Sequence, residues 1–213
     1  MERIQLTEST MAECVERAHQ VLLHGGIVMY PTDTLYGLAA DAFSDEAVNK
    51  VYAIKGRNEE KPMHCVVSDM TAVQMYADVS DDARLLEKAF WPGPLTLILK
   101  KKPTFVHGIV RNIETIGMRV PNHDFCLALA STFGRPYTAT SANASGLQPA
   151  YSVDEIIEQI GARAEKIDLV IDAGTLPPRQ ASTVVDLSGA EPVILREGAI
   201  ESADVWNTIR EEM

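Results

Sequence analysis

A series of short apolar runs, each too brief for a buried helix and each bounded by turn or polar residues, constrains this chain more than any other feature. Ile27–Tyr30 before Pro31, Met63–Val67, Leu95–Leu99, Thr115–Val120, a short run near 137–139, Leu169–Ile171, Thr183–Leu187 and Val193–Leu195 all have strand length. Helical patterns separate many of them. Thr10 and Glu13 form a capping-box pattern ahead of Cys14, Val15, Ala18, Val21 and Leu22, and Gly25-Gly26 stops that run. Ser44 can cap a second helix with Ala47, Val48, Val51 and Ile54 on its apolar face. Further helices are expected over about 70–76, 81–90 and 124–133, after the Ser152/Glu155 capping box, and from about 202. Alternation is not strict, because several strands follow one another late in the chain. The expected fold class is therefore α/β (α+β), a twisted mixed sheet flanked by helices, in one domain over residues 1–213.

A hydrophobic content of 46% is ample for one core, and a net charge of −11 argues against coating nucleic acid by bulk electrostatics. A local basic cleft remains compatible with that charge. Cys14, Cys65 and Cys126 are odd in number and widely spaced in apolar stretches, which fits reduced core residues and neither a disulfide framework nor a metal motif. No run reaches the roughly 18 apolar residues of a membrane span, so no membrane association is expected and the cytoplasm is the default location.

Chemistry is concentrated in polar islands. PTDTLYGL at 31–38 leaves a buried strand and packs Thr32, Asp33, Thr34 and Tyr36 together, which suits either a ligand loop or a tight turn capped by Asp33. KGR at 55–57 brings two cations to a helix exit, as a phosphate clamp or as solvated partners of the helix dipole. In TIGMRVP at 115–121, Arg119 alternates with Ile116 and Met118 and so faces away from the apolar set. TSANASG at 140–146 offers hydroxyls and an amide, for phosphate and ribose oxygens or for a locally satisfied turn. No GxxxxGK[ST], GxGxxG or GxSxG is present, so any ATP must be held by side-chain cations, hydroxyls and turn amides.

Taken in order, PTDTLYGL, KGR, WPGPLT, TIGMRVP, TSANASG, STVVDL and ILREG resemble the YrdC-like family of threonylcarbamoyl-AMP synthases, over about residues 20–200. The K-x-R and S-x-N tetrad of that family is complete here as Lys55, Arg57, Ser141 and Asn143. The resemblance implies a twisted sheet with a concave, positively charged cleft. It implies condensation of L-threonine, bicarbonate and ATP to threonylcarbamoyl-adenylate and pyrophosphate, a product passed to the machinery that modifies tRNA to threonylcarbamoyladenosine. Lys55 and Arg57 would then be the catalytic cations on an exposed cleft wall. Lys61, Thr115, Ser141, Asn143 and Arg196 would complete ATP binding with Mg²⁺ on the phosphates. Thr34, Arg119 and Ser182 would hold threonine.

One departure concerns histidine. Many members carry it where KPMHCVV has Val66, with His64 two places earlier on the same strand face, so His64 either substitutes in the threonine site or is a strand histidine. The resemblance also leaves a different class of function open: a non-catalytic module of the same fold that binds tRNA or other RNA in a salt-sensitive way.

Overall fold

Ten strands form one mixed sheet in the order β1-β8-β2-β3-β7-β4-β6-β5-β9-β10 in the computed structural model, which describes residues 1–56 and 63–210. The strands are β1 (Glu2–Gln5), β2 (Val28–Tyr30), β3 (Gly37–Ala39), β4 (His64–Val66), β5 (Leu95–Lys100), β6 (Thr115–Arg119), β7 (Tyr137–Ser141), β8 (Leu169–Asp172), β9 (Thr183–Asp186) and β10 (Val193–Arg196). Between them run α1 (Met11–Leu23), α2 (Asp45–Lys55), α3 (Met70–Tyr76), α4 (Asp81–Phe90), α5 (Asp124–Phe133), α6 (Val153–Ile160) and α7 (Ser202–Arg210). Parallel pairs (β1/β8, β2/β8, β4/β6, β5/β9) and antiparallel pairs (β2/β3, β3/β7, β4/β7, β5/β6, β9/β10) mix along the sheet, as the loose alternation of strand and helix signals requires.

The larger core lies on one face, where α2, α3, α4, α6 and α7 bury Val51, Val73, Leu86, Ile156 and Val205 against Met29, Leu38, Cys65, Leu97, Met118 and Val185. On the other face α1 and α5 cover only part of the sheet. Their Leu22, Ala18, Phe125 and Leu129 pack on Val28, Tyr30, Ala39, Val66, Tyr137, Leu169 and Ile171, a cluster with no member from β5, β6, β9 or β10. Strand alternation then decides what the uncovered part presents. Val66 faces the α1/α5 side, so His64 does too. The register pairs His64 with Gly117, Val66 with Arg119 and Leu97 with Met118, which puts Gly117, Arg119 and Thr96 on that same open face.

Local signals account for most helix ends. Ser44 accepts from the Ala47 N–H, Asp69 from Ala72 and Ser80 from Ala83, and the Ser152/Glu155 capping box is complete. The other expected capping box does not form. Thr10 has helical backbone, and its hydroxyl instead donates to the Gln5 carbonyl at 2.6 Å, tying the start of α1 to β1. Two strands have no clear sequence signal. β1 is polar and mostly exposed at the sheet edge, and β3 is three residues of glycine, leucine and alanine. Among the described residues no helix is long and apolar enough to cross a membrane.

The segment after β10 is stitched to β9 by one hydroxyl. Fully buried Thr183 donates through Oγ1 to the Ile200 carbonyl at 2.6 Å and accepts from the Gly198 and Ile200 N–H groups at 2.9 and 3.0 Å. Thr183→Val keeps the shape and strands these groups, so it should lower unfolding free energy by about 3 kcal/mol. Urea denaturation should show the loss as a lower midpoint with an unchanged m-value.

Candidate active site

The open face of the sheet floors a cavity of about 320 Å³. Its walls are the 32–37 loop, the β7 end with the 141–149 loop, and the Ala181-Ser182 and Arg196 segments. Polar lining comes from Thr32, Thr34, Thr96, Thr140, Ser141, Asn143, Ser182, His64, Arg119 and Arg196, with Tyr30 and Tyr36. Among the described residues no carboxylate lines it, although the chain as a whole is strongly acidic.

Arg119 is the most constrained cation. It is 7% exposed at the end of β6, where Nε donates to the Gly93 carbonyl at 3.0 Å, one terminal nitrogen to Thr34 Oγ1 at 3.1 Å and the other to Asp33 Oδ1 at 2.6 Å. The Gly93 carbonyl is itself positioned by the WPGP turn, whose Gly93 N–H bonds back to Val120. Thr34 and Asp33 come from a loop locked by Thr32, whose hydroxyl accepts from the Thr34 and Leu35 N–H groups and donates to the Leu35 carbonyl. The PTDT segment is thus both a tight turn and the wall that aims Arg119.

Arg196 approaches from the other side. Nε and a terminal nitrogen donate to the Ser182 carbonyl at 3.0 and 2.8 Å, and Ser182 Oγ meets Thr96 Oγ1 at 2.9 Å. No ion pair of Arg196 is found among the described residues, and burial, followed by the charge of Arg119, lowers its pKa. Two guanidiniums thus line the cavity, that of Arg119 already paired with Asp33 and that of Arg196 with no ion pair among the described residues.

His64 packs directly against Gly117: a Cβ built on that glycine would come within 2.4 Å of the imidazole, so glycine leaves the ring its room. His64 lines the cavity, whereas Val66 is buried among Tyr30 and Tyr137. Tyr36 closes the inner wall, donating to the Gly174 carbonyl at 2.8 Å and accepting from Ala173 N–H at 2.9 Å. Burial pushes its pKa up to about 12, so it stays a neutral donor at any ordinary pH.

Lys55 departs from the expectation of an exposed wall. It is 3% exposed, and its ammonium reaches the Ser141 carbonyl and both the carbonyl and Oδ1 of Asn143. The Ser145 N–H donates to the Lys55 carbonyl at 2.9 Å, so the residue braces the TSANASG loop from both ends. Within that loop Ser141 Oγ donates to Asn143 Oδ1 at 2.6 Å, and Asn143 Nδ2 to the Leu147 carbonyl at 2.7 Å. Lys55 and the hydroxyl loop are one unit, because its ammonium organises the loop.

Of the anticipated residues, Thr34, His64, Arg119, Ser141, Asn143, Ser182 and Arg196 line the cavity together, with Lys55 behind the loop. Thr115 sits at the far end of β6 from Arg119 and is not a lining residue. Arg57 and Lys61 lie outside the described residues. Two contributors had not been singled out: Thr96, legible from Leu95-Thr96-Leu97 alternation in the WPGPLT motif, and Asp33 as the ion-pair partner of Arg119, which no local pattern signals. Among the described residues no group of three His, Cys, Asp or Glu side chains could hold a metal.

Known proteins resemble this chain in sequence and in fold. A putative threonylcarbamoyl-AMP synthase from Methanocaldococcus jannaschii is 37% identical over 196 residues, covering 92% of this chain and 91% of the relative. The threonylcarbamoyl-AMP synthase of Pyrococcus abyssi is 34% identical over 188 residues, and this chain spans only about half (54%) of that relative's length. The crystal structure of P. abyssi Sua5 complexed with L-threonine superposes with a TM-score of 0.87 at 31% identity, covering 99% of this chain and 61% of that one. The profile of the Sua5/YciO/YrdC family, described as "Telomere recombination", matches residues 20–198, and the chain belongs to that family.

Proposed function

We propose that the cavity makes threonylcarbamoyl-adenylate from L-threonine, bicarbonate and ATP, the reaction of a nucleotidyltransferase. The observation that carries the reading is the buried Arg119, aimed by Asp33 and Thr34 into a cavity that Arg196 also enters and that no carboxylate among the described residues lines. A planar fork with fixed neighbours suits the carboxylate of an amino acid. The names of the relatives and the threonine complex of the P. abyssi protein support the same assignment.

The threonine ammonium and bicarbonate combine to a carbamate, releasing one water and one proton. A carbamate oxygen then bonds to the α-phosphorus of ATP as the bond to the pyrophosphate oxygen breaks. Every partner is anionic, so the barrier is dominated by repulsion and by positioning. Arg119 would neutralise the threonine carboxylate, Thr34, Ser182 and His64 would contact the remainder of the amino acid, and Arg196 would offset charge on the phosphate. Ser141 and Asn143, braced by Lys55, would present the nucleotide wall, with Arg57, Lys61 and Thr115 as further candidates for ATP.

The described residues do not make a metal cage, since the lining groups are hydroxyls, an amide, an imidazole and guanidiniums. The Mg²⁺ proposed with ATP would therefore be held by phosphate oxygens and water, as this ion commonly is. The product is a reactive mixed anhydride suited to a downstream tRNA threonylcarbamoyl-transfer machinery, and the cytoplasm is the location proposed.

The test is pyrophosphate release with ATP, threonine and bicarbonate, omitting each in turn. Release should need all three; threonine-independent release would exclude the reading. Salt-sensitive tRNA binding without any turnover would instead favour the RNA-binding module.

A further inference from the structure

We infer that Arg163 is a polyphosphate-binding residue, a third cation added to the KGR motif from a distant part of the chain. The inference rests on the ATP reading above and extends it to a residue outside every recognised motif.

The observation is a close approach. Gly56, between Lys55 and Arg57, ends α2 in the left-handed region at φ +61°, and a Cβ built there would lie 1.8 Å from a terminal nitrogen of Arg163. The guanidinium therefore rests directly on the bare glycine. Glycine at 56 serves two purposes: it permits the positive φ, and it leaves the space the guanidinium fills.

Arg163 belongs to the 3-10 segment Gly161–Lys166 that follows α6. Its Nε donates to the Ile160 carbonyl at 3.2 Å, which satisfies one orphan carbonyl at the helix end. That role accounts for Nε alone. Among the described residues neither terminal nitrogen has a hydrogen-bond acceptor, and no carboxylate pairs with Arg163. By contrast Arg3, Arg17, Arg111, Arg119 and Arg135 each have a carboxylate partner.

A guanidinium resting on the Gly56 backbone beside Lys55, with no carboxylate partner among the described residues, is electrostatically unfavourable on its own. It becomes favourable when a multiply charged anion arrives. The same junction anchors the nucleotide wall, because the carbonyl of Lys55, the residue before Gly56, accepts from Ser145 N–H. A triphosphate lying along the TSANASG loop would bring its terminal phosphates toward this exit of α2, where Arg163 would stabilise the departing pyrophosphate.

The full-length protein, Arg163→Gln and Arg163→Lys are titrated calorimetrically with inorganic tripolyphosphate, with AMP and with L-threonine, at fixed Mg²⁺ and salt. Arg163→Gln should weaken tripolyphosphate at least about tenfold, and Arg163→Lys should recover part of the loss. AMP and threonine affinities and the melting temperature should stay near those of the parent. Unchanged tripolyphosphate affinity in Arg163→Gln overturns the inference. A uniform loss for all three ligands with a lowered melting temperature also overturns it, in favour of helix capping alone. Parent protein that binds AMP and threonine but no tripolyphosphate overturns the inference while leaving substrate recognition standing. Parent protein that binds none of the three sinks both it and the ATP reading.

Discussion

Arg119→Ala should lower threonine-dependent pyrophosphate release by about a thousandfold and destabilise the fold by about 3 kcal/mol, two losses with separate causes. The loss of stability comes from Asp33. Its side chain is 8% exposed, and among the described residues Oδ1 takes the only ion pair it has and Oδ2 has no hydrogen-bond partner. Removing the guanidinium strands a buried carboxylate. The loss of turnover comes from the substrate side, where the carboxylate of threonine would lose its fixed bidentate partner while the carbamate and phosphate remain anionic. Combining Arg119→Ala with Asp33→Asn separates the two. The double variant should regain most of the lost stability in urea denaturation and none of the activity. Recovery of turnover in the double variant would mean that Arg119 serves only to neutralise Asp33, and the threonine assignment would fall.

What could be read in advance divides by the range of the interaction. The helices α3, α4 and α5 and the capping box of α6 follow from signals within four residues, so their limits are legible directly. Arg119 facing away from the apolar set is likewise a local consequence of strand period. β1 was not legible, because an exposed polar edge strand is defined by its parallel partner, with Glu2 opposite Leu169. The same holds at the start of α1. Thr10 carries a capping-box pattern but donates its hydroxyl to the Gln5 carbonyl, a partner that only the pairing of β1 with β8 puts in place. Arg163 gives no sequence signal, as its significance lies in touching Gly56 across more than a hundred residues of chain. Lys55 is the instructive case: a lysine at a helix end ordinarily reads as solvated, and only the return of residues 141–147 buries it.

Lys55→Ala should therefore behave as a loop variant before it behaves as a ligand variant. Deleting the ammonium removes a charged donor from the Ser141 carbonyl, the Asn143 carbonyl and Asn143 Oδ1, and although the Ser141 carbonyl keeps the Asn143 N–H and Oδ1 keeps the Ser141 hydroxyl, the expected destabilisation is about 2–4 kcal/mol once the vacated volume is included. Lys55→Met keeps most of the stem volume without the donors and should recover part of that stability. Neither variant should restore the order of the loop. Amide exchange at Ser145, whose N–H is held by the Lys55 carbonyl, and at Leu147, whose N–H is held by the Ala144 carbonyl within the same loop, should accelerate in both. ATP KM should rise about tenfold in the methionine variant, with threonine affinity near that of the parent, because Arg119, Thr34 and Ser182 do not depend on this loop. A phosphate clamp on an open wall makes the opposite prediction: parent-like stability and amide exchange in both variants, with turnover alone abolished. That outcome would return Lys55 to direct contact with the nucleotide. The expected one makes it the residue through which α2 holds Ser141 and Asn143 in place for ATP.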